Sequence, residues 1–146
     1  MNKKTKGFGL IEVLVSMLVL GVGVLGMLAL QLNAMKFNQT ASVRTQATFL
    51  AYDIADRMRA NAPQAIAGSY DISIESAAPS GSTIADADLH EWKTSLAAQL
   101  PMGNGSVNRN GAGIYTITIQ WDETRIGLAD PQQFVFTTRL CERDCQ

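Results

Sequence analysis

The sequence predicts an α+β protein in which a long N-terminal helix, membrane-length in its first half and amphipathic in its second, packs on a small antiparallel sheet. Three observations predict it. From Phe8 to Leu32 the chain is apolar apart from Glu12, Ser16 and Gln31, and Val13 to Leu30 carries no charge. No proline occurs between Met1 and Ala62, so nothing forces the helix to stop where the apolar run stops. Near the C-terminus, residues 114–121 and 134–140 alternate apolar and polar side chains, the period of two that lays one face of a strand on a core.

At 146 residues the chain accommodates one small domain and an appendage, since a domain usually needs roughly 100 to 200 residues to bury a useful core. The formal net charge is −1, but Lys3, Lys4 and Lys6 crowd the first six residues while the other charges are mixed in sign. No basic nucleic-acid surface is implied. The apolar run is long enough to span a bilayer, because ~20 residues of helix match a hydrocarbon core of roughly 30 Å. Lysines ahead of it place the N-terminus in the cytoplasm and the remainder of the chain outside it. A cleaved secretory signal is disfavoured by the length of the run, by the carboxylate of Glu12 inside it, and by the absence of an A-x-A-like site closing it.

Past Leu32 the residues Val43, Ala47, Leu50, Ile54 and Met58 form one helical stripe, with Asp53 and Arg57 spaced for an i,i+4 ion pair. Asn61-Ala62-Pro63 ends this helix. Tyr70, Ile72 and Ile74 then alternate with polar residues and suggest a short strand. Thr83 and Asp86 form a capping-box pattern that opens a second helix, whose apolar face is Leu89, Trp92, Leu96 and Leu100, and Pro101 closes it. Residues 103–113, dominated by Gly and Asn, are expected to be a loop. Ile114 to Trp121 and Phe134 to Leu140 are expected to pair as an antiparallel hairpin, covered by the Val43 to Met58 stripe. Trp92, Trp121, Tyr115 and Phe136 fall at core positions of these elements.

Both cysteines, Cys141 and Cys145, lie beyond the membrane-length segment, where an oxidising compartment lets them pair, and a disulfide is expected. So short a ring contributes only about 2 kcal/mol in the loop-entropy picture. The Gly21-Val22-Gly23-Val24-Leu25-Gly26 run matches G-x-G-x-x-G but lies inside the apolar segment, without the strand and following acid that a nucleotide site needs. Its glycines suit close helix packing or local unwinding instead. The one histidine, His90, has no Cys or second His for a metal site and no nucleophile motif, so no catalytic constellation, cofactor or metal is predicted and an enzyme is disfavoured.

Glu12 needs an explanation, because a carboxylate near the centre of a membrane helix costs roughly 2.5–3.5 kcal/mol. Lys6-Gly7-Phe8-Gly9-Leu10-Ile11-Glu12 followed by Val13-Leu14-Val15 resembles the leader of type IV pilins and pseudopilins. The resemblance implies that prepilin peptidase cuts between Gly7 and Phe8 and N-methylates Phe8. Residues 1–7 would then be a leader, 8–32 a transmembrane and filament-core helix, and 33–146 an extracytoplasmic pilin-like domain. It also implies that Glu12 meets the new amine of a neighbouring subunit; spacing alone equally allows the amine of the same chain, one turn away.

Phe49 to Asn61 and Ile114 to Trp121 are similar to segments of the minor pilin family PilV, the type IV pilus modification proteins. That likeness implies a subunit that starts or modifies pilus assembly, with twitching motility and cell adhesion as the functions served. Implied partners are prepilin peptidase, the inner-membrane assembly platform, other minor pilins, the major pilin and the membrane. Implied location is the inner membrane, then the pilus at the cell surface. A minor pseudopilin of type II secretion shares the leader and helix, and an unprocessed membrane-anchored binding module would keep the helix in lipid.

Overall fold

The computed structural model describes residues 9–110, 113–124 and 130–140. The first element, α1, is a single 51-residue helix, Leu10–Ala60. By contact density the chain divides into two units, residues 1–39 and 40–146. In the first unit every described residue from Gly9 to Gln39 is exposed. α1 is long and apolar enough to cross a membrane.

The second unit holds the core. Here α1 turns Ala47, Leu50, Ala51, Ile54, Ala55 and Met58 inward, which is the expected stripe widened by two alanines that extend its i, i+3, i+4 spacing. Three of the six are alanines, so the neighbouring elements can come close to this helix. A one-turn helix α2, Ala62–Ile66, follows with Pro63 in its first turn, where proline's missing N–H costs nothing. α3, Ile84–Gln99, opens on the expected capping box: the Thr83 side chain accepts from the Asp86 amide, and the Asp86 carboxylate accepts from the Thr83 amide. Its buried face carries Leu89, Trp92 and Leu96, and Leu100 beyond its end is also buried.

Three strands, β1 at Asn104–Arg109, β2 at Ile114–Trp121 and β3 at Gln132–Arg139, form an antiparallel sheet of order β1-β2-β3. β2 is the central strand and its alternation is as expected, with Tyr115, Ile117, Ile119 and Trp121 buried. β3 begins two residues earlier than the sequence pattern indicates, and turns Phe134 and Phe136 onto the core. Phe136 meets Tyr52 of α1 edge to face, with ring centroids 4.8 Å apart.

Two expectations are corrected. Residues 104–109 are a strand and not a loop. Gly105 marks a close approach here and not a flexible turn, because a Cβ on it would lie 2.6 Å from Cη2 of Trp92 and 2.9 Å from Cδ1 of Leu96. Tyr70 to Ile74 is not a strand; it makes one antiparallel bridge, Ile72 to Val107. The carbonyls of Ser73, Ile74 and Ser76 instead accept from the buried ammonium of Lys93, at 3.2, 3.3 and 3.0 Å, and Oδ1 of Asn104 accepts from it at 2.8 Å. A chain bent around a cation cannot run straight along a ladder.

Substituting Gly105→Val should force Trp92 and Leu96 from their places and cost about 1–3 kcal/mol, read as a lower urea midpoint by tryptophan fluorescence. Lys93→Met should speed amide hydrogen exchange at residues 73–76 while leaving the amides of β2 unchanged.

Candidate functional site

Glu12, the residue expected to act in assembly, sits in the first turn of α1. The carbonyl of Gly9 accepts from the amide of Glu12 at 2.9 Å, and the Ser16 hydroxyl donates to the Glu12 carbonyl at 2.6 Å. These bonds use the backbone of Glu12 and leave its carboxylate exposed, without an ion pair among the described residues. Around it Leu10, Ile11, Val13, Leu14 and Val15 are exposed. A carboxylate on a helix that is apolar on every side is costly to place in an apolar layer without a cationic partner. Gly7 and Phe8, the expected cleavage and methylation positions, lie outside the described residues, as do Cys141 and Cys145 of the expected disulfide. Gly21, Gly23 and Gly26 are in the body of α1 with no side chain near them, so the G-x-G-x-x-G run has a helix on both sides and not the strand-to-helix turn of a phosphate loop.

The second unit carries a polar network that the sequence pattern showed only in part. The predicted i,i+4 pair is present, with Nε of Arg57 3.1 Å from Asp53. Nη1 of the same guanidinium also reaches Glu91 at 2.8 Å and Asp88 at 3.4 Å on α3. The Tyr70 hydroxyl donates to Asp88 at 2.5 Å and accepts from the Asn61 amide at 3.1 Å. Burial, followed by the hydrogen bond to Asp88, pushes the Tyr70 pKa up to about 12. The bond from Arg57 holds the Glu91 carboxyl below its ordinary value, and burial holds the Lys93 ammonium below its own. No local spacing links Arg57 to residues more than 30 positions away; only the docking of α3 on α1 does. This arrangement fixes α3 against the C-terminal part of α1 and leaves its charges mutually satisfied.

His90 is exposed, with Nδ1 2.8 Å from the Pro79 carbonyl. Among the described residues no three His, Cys, Asp or Glu side chains gather as metal ligands. An open cleft of about 450 Å³ is lined by Ile74, Glu75, Met102, Gln120, Trp121 and Asp122 among others, and His90 is not part of it.

Residues 2–28 match the family model for the prokaryotic N-terminal methylation motif, and residues 29–97 match that for the type IV pilin Tt1218. No curated protein and no solved structure matches the chain. The second match takes in the C-terminal part of α1, α2 and nearly all of α3; the sheet lies beyond it.

Because Glu91 titrates lower in the folded state than in the unfolded, its contribution is present above the ordinary Glu pKa of ~4.3 and is lost as pH falls through the lowered value. Glu91→Gln should therefore flatten the acid side of the stability–pH curve, checked by urea midpoints from pH 7 down to pH 3.

Proposed function

We propose that this chain is a type IV pilin-like protein that acts as a minor pilin and starts or modifies pilus assembly. The observation that carries the proposal is the start of α1: an exposed apolar helix with one carboxylate, Glu12, that has no ion pair among the described residues, in a segment that matches the N-terminal methylation motif. Such a helix has two environments that suit it, a bilayer before assembly and a bundle of like helices afterwards. The α+β arrangement is that of the type IV pilin fold, with a long N-terminal helix and a small antiparallel sheet.

In this reading prepilin peptidase hydrolyses the Gly7–Phe8 amide with water, leaving a carboxylate on Gly7 and a free α-amine on Phe8. The same enzyme moves a methyl group to that amine from a methyl-sulfonium donor, whose sulfur leaves as the thioether while the amine gives up a proton. The amine is mostly protonated at neutral pH, its pKa being about 8. In a low-dielectric filament core it pairs with the Glu12 carboxylate of a neighbour, and each charge repays part of the other's desolvation. The helix stays attached because the cut precedes the apolar run. Before assembly the chain sits in the inner membrane with residues 1–7 cytoplasmic and the sheet domain periplasmic. Afterwards it is part of a surface pilus, in contact with other minor pilins and the major pilin and delivered by the assembly platform. The likeness of Phe49 to Asn61 and Ile114 to Trp121 to PilV supports the minor-pilin role over that of a bulk subunit.

The test is the N-terminal sequence and intact mass of the full chain made with and without prepilin peptidase. A chain that begins at N-methylated Phe8 only in the presence of the enzyme is expected; an unprocessed Met1 chain in both would leave a plain membrane anchor. Gly7→Leu should block processing, and Glu12→Leu should leave insertion and cleavage intact while incorporation into pili falls at least tenfold. Loss of pili, and not of protein secretion, on deletion separates a pilin from a pseudopilin of type II secretion.

A further inference from the structure

The two edges of the sheet are treated differently. In an antiparallel ladder, alternate residues direct N–H and C=O toward the neighbouring strand and the rest direct them away. Asn110 donates its amide to the Ile114 carbonyl, which fixes the even-numbered residues of β1 as bonded to β2 and the odd ones as facing outward. Each outward donor of β1 is capped. The Gly105 amide donates to Oδ1 of Asn104 at 2.9 Å, the Val107 amide to the Ile72 carbonyl at 3.0 Å, and the Arg109 amide to Oδ1 of Asp71 at 3.1 Å.

The same register makes Gln133, Val135, Thr137 and Arg139 the outward residues of β3. β3 ends the sheet, and none of these four amides has a partner among the described residues. The usual guards of a free edge are also missing within it: Gln132 to Arg139 contains no proline and no lysine, and its one charge, Arg139, stands at the end without an ion pair among the described residues. Val135 is 56 % exposed beside this edge.

We propose that the outer edge of β3 is a docking site for an extended segment of another pilin subunit, which adds to the sheet as a fourth strand. Main-chain bonds to Gln133, Val135 and Thr137 supply the pairing, and apolar residues at alternate positions of the incoming segment cover Val135 on one face and the half-buried Phe134 and Phe136 on the other. A carboxylate on that segment answers Arg139. The occupant is a different subunit on two grounds. Head-to-tail pairing of copies, β3 on β1, is blocked by the three caps that close β1 in every copy, and edge-to-edge pairing of two copies, β3 on β3, is isologous, needs a two-fold axis and closes a dimer instead of extending a filament. The proposal rests on the reading of this chain as a filament subunit.

The test uses the full chain expressed with its own assembly machinery, carrying the photocrosslinker p-benzoylphenylalanine at Thr137 on β3 or, as a control, at Asn108 on β1, both exposed. Irradiation at Thr137 is expected to give an adduct whose cross-linked peptide maps to an extended segment of another pilin, with no adduct from Asn108. Val135→Pro removes an outward N–H without touching the ladder to β2 and should cut the adduct yield at least tenfold. Gln133→Pro should do the same if Val135→Pro lowers the unfolding midpoint. A chain cleaved at Gly7 and present in filaments but giving no pilin adduct from Thr137 overturns the proposal alone. So does an adduct with a second copy of this chain, or an undiminished yield in both proline variants. An unprocessed chain outside any filament overturns the filament reading and this proposal with it.

Discussion

Trp92 is the point through which the second unit is organised. Its ring is fully buried, it lies against the bare backbone of Gly105, and its indole N–H donates to the Leu50 carbonyl of α1 at 2.9 Å. One side chain thus ties α3 to the helix in front and to the strand behind, and it does so with both its apolar area and its polar atom satisfied. The register of β1 follows, because only a glycine can face the ring there. Tyr115 does a similar task at the other end of the sheet, its hydroxyl donating to the Ala65 carbonyl at 2.9 Å. A core of this size has few large residues to spare, so two aromatic donors that each join two elements settle much of the geometry.

The elements most legible in the sequence are those whose signal is local. The apolar and amphipathic halves of α1, the Thr83–Asp86 box and the alternation of β2 all need only a few neighbours to be recognised, and all are present. β1 was hidden because Asn104-Gly105-Ser106 has the composition of a turn while its extended form is imposed by Trp92 and Leu96. Tyr70 to Ile74 is the opposite case: its alternation suits a strand, but Lys93 gathers the carbonyls of Ser73 and Ile74, 20 and 19 residues away, together with that of Ser76 just beyond. Of the candidate site, Glu12 stood out as a charge in an apolar run, whereas the reach of Arg57 to Asp88 and Glu91 depends on how α3 docks and left no trace in spacing.

The two units dispose of apolar surface in opposite ways. The second buries its aromatic and branched residues within its own sheet and helices. In the first, Leu10 to Phe37 present leucine, valine and methionine outward all round. Surface of that extent, at roughly 25 cal/mol per Å² removed from water, cannot remain in solvent without strong association, so the helix is committed to surroundings supplied by lipid or by other chains. On the proposed reading, Glu12 then sets which surroundings are sufficient. Lipid covers the leucines but brings no cation to the carboxylate at their depth, and on the proposed reading an assembly that brings an amine to Glu12 would satisfy both demands at once. On the proposed reading, Glu12 would give the transfer from membrane to filament its direction, since the apolar side chains are nearly indifferent between the two environments and the carboxylate is not.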